Sequence, residues 1–159
     1  MRIKTWPGRT RLSLYFFLTI CLGASGKCGY HAPPEYQRIF DLSSTDEQEA
    51  EFKKLPTSKQ VEMFRYAMYT EPPRYTFVEY LASGGQAVIP ILLSSLEQEP
   101  DDGMRVEFLR VFRQIHRKYY DLSNSPEVIE KLKLEFAKIR DSEYKQQGEE
   151  YLEAIGAQK

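Results

Sequence analysis

Apolar residues recur at helical spacing through most of this chain, and no convincing strand interrupts them. Thr45-Asp46-Glu47-Gln48 has capping-box spacing and predicts a helix running to about Leu55, stopped by Pro56. Thr57-Ser58-Lys59-Gln60 repeats the signal, and Val61, Phe64 and Met68, with Ala67 beside them, form one buried stripe. Glu71-Pro72-Pro73 closes that helix, since a residue before proline avoids the helical conformation. A short helix from about Arg74 to Ala82 carries Phe77, Val78 and Leu81 and ends at Gly84-Gly85.

The segment from Ala87 to Leu96 is apolar around most of its circumference, which predicts a central helix covered on several sides. A buried strand is the competing reading; Pro90 disfavours an interior strand and suits a helix start. Pro100-Asp101-Asp102-Gly103 then makes a turn that sets two carboxylates at the positive end of a helix from Met104 to Tyr119. Phe108, Phe112, Ile115 and Tyr119 stripe that helix. Ser125-Pro126-Glu127 opens another, with Ile129, Leu132, Phe136 and Ile139 on its apolar side. Asp141-Ser142 either begins a final helix through Tyr144, Tyr151, Leu152 and Ile155 or lies inside one long helix. Gly148 weakens either version by about 1 kcal/mol relative to alanine. The predicted fold is all-α, with six or seven helices in a domain spanning residues 45–159.

Val88 to Ile115 carries Pro90 followed by Leu92, Leu93 and Leu96, then the acidic turn Asp101-Asp102, then Met104-Arg105 opening the next helix. This order resembles a HEAT-repeat (armadillo-type) junction, with the segment from Tyr75 to Gly85 as the first helix of the unit. The resemblance covers about forty residues, 75–115. Phe108, Val111 and Phe112 stand where that family usually has small alanines, and no second clear copy follows. The resemblance implies a short right-handed α-superhelix and a role in protein recognition; an irregular helical bundle is the alternative packing.

The N-terminus differs from everything after it. Arg2, Lys4, Arg9 and Arg11 precede the twelve-residue run LSLYFFLTICLG from Leu12 to Gly23, followed by small residues Ala24, Ser25 and Gly26. Basic, apolar and small-residue parts in that order predict a secretory signal peptide over residues 1–26, with cleavage after Gly26 or Ser25. A membrane-spanning helix needs about twenty apolar residues. Cys21 follows Ile20 and Cys28 follows Lys27, neither of which is the small residue that lipoprotein processing requires. The protein is thus expected to be secreted or periplasmic, with no stable membrane span after cleavage. Residues 27–44, with Pro33-Pro34, read as an extended arm.

Removing the leader leaves 18 basic residues against 23 acidic ones, a formal charge of −5. That disfavours nucleic acid, which demands a basic face. One cysteine remains, so no internal disulfide framework can form, although Cys28 could pair with a cysteine of another chain.

Candidate chemistry is sparse. His31 and His116 are the two histidines, and there is no HExxH, paired CxxC, calcium loop, GxSxG or phosphate-binding loop. No cofactor or metal is therefore expected, and Asp101-Asp102-Gly103 reads as a cap. Cys28 and His31 have the ingredients of a thiol nucleophile and base but lie in the arm, where nothing rigid holds them. Adjacent acids such as Glu149-Glu150 point in different directions on a helix. Tyrosine remains, offering a rigid contact area with a polar tip, although many such rings pack in cores. Tyr66, Tyr69, Tyr75 and Tyr80 surround Pro72-Pro73 and form the first candidate protein-binding corner; Tyr119 and Tyr120 form the second. A basic face through Arg105, Arg110, Arg113, Arg117 and Lys118 is a third, with a solvated helix side as its plain alternative.

Three functional classes follow. The first is an exported, non-catalytic helical protein that binds another protein in the cell envelope, such as an immunity protein against an envelope-targeted toxin. The second is an envelope structural protein held by an uncleaved or lipidated leader. The third is a small hydrolase using carboxylates from separate helices.

Overall fold

Short polar side chains and prolines set the helix boundaries. Ser44 accepts the amide of Glu47 and so caps α2 (Thr45–Lys54) one residue earlier than the sequence spacing indicates. Asp101 accepts the amide of Met104 at 2.7 Å and opens α6 (Asp102–Lys118). Pro126, in the first turn of α7 (Pro126–Phe136), has no amide to leave unsatisfied. Asp141 accepts the amides of Glu143 and Tyr144 at the start of α8 (Ser142–Gly156), so residues 126–155 form two helices and not one.

The computed structural model describes residues 32–156; the leader, Cys28 and His31 lie outside them. Among the described residues there are eight α-helices and no strand, one helix more than the upper expectation. The others are α1 (Pro34–Phe40), α3 (Thr57–Met68), α4 (Thr76–Ala82) and α5 (Ile89–Glu97). Short 3-10 turns at Gly85–Val88 and Leu122–Asn124 lead into α5 and α7. Gly85 takes φ +57°, left-handed backbone that costs glycine nothing, where α4 gives way to the turn before α5.

The additional helix is α1, inside the segment expected to be an extended arm. Pro34 sits in its first turn, the one helical place where a missing amide is harmless, and Tyr36, Ile39 and Phe40 follow at helical spacing and are buried. Gln48 fastens α1 to α2 by donating to the carbonyls of Phe40 and Leu42. Arg74 donates to the Phe40 carbonyl at 2.8 Å and stacks on its ring.

From α2 onward, each helix packs on the helix two places along the chain. α2, α4, α6 and α8 form one layer, and α3, α5 and α7 the other. α6 also touches α3, α5 and α7, and buries Met104, Val106, Phe108, Leu109, Val111, Phe112 and Ile115. It is the central helix, a place the sequence pattern assigned to residues 87–96. α5 buries Ile89, Leu92, Leu93 and Leu96 but turns Pro90, Ser94 and Glu97 outward. Phe77 collects the N-terminal half of the core, with ring centroids 5.2 Å from Phe40, 5.5 Å from Phe52 and 5.1 Å from Tyr80. Burial of each such ring contributes about 2–3 kcal/mol.

Gly148 allows α8 to approach closely. A Cβ there would lie 3.0 Å from two ring carbons of Phe136 and 3.3 Å from Leu109 Cδ1. Its intrinsic helix penalty is therefore accompanied by a contact that a side chain would obstruct. α6 and α7 are joined by an ion pair that is nine-tenths buried, with Arg105 Nη1 2.9 Å from Glu135 Oε2. Arg105 also donates to the carbonyl of Glu99, whose carboxylate pairs with Arg65 at 2.7 Å.

Candidate functional site

The six candidate tyrosines do not share one surface. Tyr80 points inward: it is 6% exposed, burial pushes its hydroxyl pKa up, and it donates to the carbonyl of Thr45 at 2.8 Å. Tyr66 and Tyr69, at the end of α3, are half-buried on the odd-numbered layer. They line a cleft of about 330 Å³ with Ser58, Val61, Glu62, Arg65 and Ser95, and Tyr66 packs 5.7 Å from the ring of Tyr36. Tyr75 and Tyr119 belong to the even-numbered layer, 49% and 40% exposed. Tyr120 is half-buried, its hydroxyl 3.0 Å from Ser125 Oγ. The corner around Pro72-Pro73 is thus split between the two layers, with one of its members in the core.

The even-numbered layer holds the more elaborate arrangement. A cleft of about 410 Å³ is lined by Tyr75, Val78 and Glu79 from the α4 end, Arg110, Arg113 and Gln114 from α6, and Tyr151 from α8. The α6 residues recur at three- and four-residue intervals and so share one side of the helix. Arg110 lies between two rings, 4.4 Å from the Tyr75 centroid and 5.6 Å from that of Tyr151. Its Nε donates to the Tyr151 hydroxyl at 3.0 Å and lies 3.3 Å from Glu107. Arg113 sits 5.2 Å from the Tyr151 centroid. Stacking on rings immobilises guanidinium groups while leaving their edges able to donate, at about 0.5–2 kcal/mol per contact.

Glu79 forms the cleft's other wall and is fully engaged. Lys118 donates to it at 2.9 Å, and Tyr119 and Gln114 also hydrogen-bond to it. Burial opposes its charge, but these three donors together hold its carboxyl below the usual range. The same bond pushes the Tyr119 hydroxyl up to about 12. Glu107 behaves oppositely: burial raises its proton affinity, and the nearby Arg110 only partly offsets this.

Arg105 leaves the predicted basic face altogether, being the buried partner of Glu135. His116, in the last turn of α6, is also buried. Its Nδ1 accepts the amide of Leu122 at 3.1 Å, and Asp121 lies 3.4 Å away. That hydrogen bond fastens the turn after α6. The sequence reading missed Tyr151 as a site residue; its spacing from Tyr144 marked an apolar helix side and gave no sign that its ring would support two arginines.

Among the described residues no cluster of His, Cys, Asp or Glu could hold a metal ion, and no single helix is long and apolar enough to cross a membrane. No protein-family model, curated protein or solved structure matches this chain.

Proposed function

We propose that this chain is an exported, non-catalytic helical protein that binds another protein in the cell envelope. The observation that carries the reading is the even-layer cleft. There Tyr75, at the N-terminal edge of α4, is half exposed, Arg110 and Arg113 are held against rings, and helices α4, α6 and α8 supply the other lining side chains. Tyrosine and arginine fixed on helices lose little conformational freedom on binding, which suits them to the centre of a protein interface. The export half of the reading rests on the basic, apolar and small-residue order of residues 1–26, with cleavage after Gly26 or Ser25.

In finer detail, the fold is a short HEAT-like right-handed α-superhelix. The i-to-i+2 packing of successive helices supports this, because stacked repeats bury their faces against the equivalent helix of the next unit. An immunity or inhibitor protein against an envelope-targeted toxin is one specific form of the function.

Affinity capture from envelope extracts of the source cells, with the isolated protein as bait, tests the binding claim. The expected result is a specific protein recovered reproducibly by the wild type and depleted by Tyr75→Ala. Reproducible absence of any partner would contradict it. Mass measurement of the N-terminus tests the export claim: a chain beginning at Gly26 or Lys27 supports it, and an intact or acylated leader favours the envelope-anchored alternative.

A further inference from the structure

The charges on the outward side of α6 do not balance. Arg110 has Glu107 within 3.3 Å, and Lys118 has Glu79 within 2.9 Å. Among the described residues, Arg113 and Arg117 have no carboxylate within 4.0 Å. They stand four residues apart, so they are neighbours on one side of the helix, roughly 6 Å apart at Cβ. Arg113 is half-buried against Tyr151, and Arg117 is exposed one turn beyond. Two adjacent positive charges thus remain uncompensated beside an aromatic cleft, on a chain whose formal charge behind the leader is −5.

We propose that this cleft receives an acidic segment of the partner protein, one of whose carboxylates pairs with Arg113 and a second with Arg117. The proposal rests on the protein-binding reading above and names the chemistry of the partner. Arg113 is preorganised for a carboxylate because its guanidinium is held against the Tyr151 ring in the wall of the cleft, and a planar guanidinium packed on a ring keeps its edge donors for a carboxylate. Tyr75 supplies an adjoining apolar surface for a side chain next to the acidic residue. Glu79 does not repel the ligand strongly, because Lys118, Gln114 and Tyr119 already satisfy its charge.

The test is selection of a random-sequence dodecapeptide display library on the purified full chain, followed by titration of the enriched peptides. The expected peptides carry two or more Asp or Glu residues, and their affinity falls with added salt in the wild type. Charge reversal by Arg113→Glu or Arg117→Glu weakens them about tenfold or more, and Arg117→Glu, at an exposed position, does so with an unchanged melting transition. Enriched peptides without acidic residues, binding indifferent to both reversals, or no enrichment at all would overturn the proposal. Peptides that ignore the reversals but are lost on Tyr66→Ala would move recognition to the odd-layer cleft, leaving protein binding intact while refuting the acid-binding claim. If acidic peptides bind as expected but envelope capture recovers no protein, the cleft chemistry stands and the envelope-partner reading fails.

Discussion

Removal of Glu135 strands Arg105. The two side chains are 9% and 8% exposed and 2.9 Å apart, a separation worth about 6 kcal/mol of gross attraction at an effective dielectric of 20. Desolvation offsets most of that, so the pair's net contribution is small while both partners are present. Glu135→Leu leaves the guanidinium with only the Glu99 carbonyl as acceptor and is expected to cost about 3–5 kcal/mol. Arg105→Met is milder, about 2 kcal/mol, because Glu135 keeps Lys138 at 2.5 Å, itself half exposed. The double variant removes both charges and fills the space with apolar atoms; it should be more stable than Glu135→Leu alone. Urea denaturation followed by far-ultraviolet circular dichroism measures all three. Additive losses, with the double variant costing the sum of the singles, would refute the view that an uncompensated buried charge dominates the cost.

Three further outcomes follow from the geometry. Gly148→Val should cost about 2 kcal/mol by crowding Phe136 and Leu109, read from the same urea transitions; an increase in stability would mean that helix propensity outweighs the close approach of α8. Glu107 has a folded pKa above its unfolded value near 4.3, so its charge opposes folding at neutral pH. That penalty should fade as pH drops through the raised pKa, and thermal melts of Glu107→Gln should lack this component; identical pH profiles for the two proteins would contradict it. Asp102 behaves conversely, because it accepts the amides of Asp141 and Arg140 at 3.0 and 2.8 Å and its carboxyl is held low. Its stabilisation is present above an unfolded pKa near 3.9 and is lost as pH falls through the lower folded value. Asp102→Asn should therefore flatten the acid limb of an unfolding curve, and an unchanged limb would count against this cap.

α3, α6 and α7 were legible from residue spacing because their apolar stripes are local, but of their predicted caps only Asp101 on α6 accepts an amide; Pro56, not Thr57, precedes α3, and neither it nor Ser125 before α7 makes a side-chain cap bond. α1 was misread because Pro33-Pro34 suggested extended backbone, although Tyr36, Ile39 and Phe40 at helical spacing were available to outweigh it. Asp141 fits one helix or two by spacing alone; its carboxylate, accepting the amides of Glu143 and Tyr144, is what starts α8 as a separate helix. The candidate site was less legible. Tyrosine suits both cores and surfaces, so nothing near Pro72-Pro73 could send Tyr80 inward while Tyr75 stays half exposed. Arg105 gave a readable hint, since it shares a helix side with Phe108, Leu109 and Phe112; its partner Glu135, 30 residues on, did not. The stacking of Arg110 and Arg113 on Tyr151 joins α6 to α8, and such long-range pairings leave no local trace.

Under the proposed function, a protein partner docks on the even-layer cleft. Site-specific photo-crosslinking in living source cells tests it most directly, with a photoreactive phenylalanine analogue replacing Tyr75 or Arg117 and, as control, Leu134, which is 66% exposed on α7. Docking on the cleft yields one discrete protein adduct from Tyr75 and Arg117 and none from Leu134. Adducts from Leu134 alone, or none from any position, would contradict it.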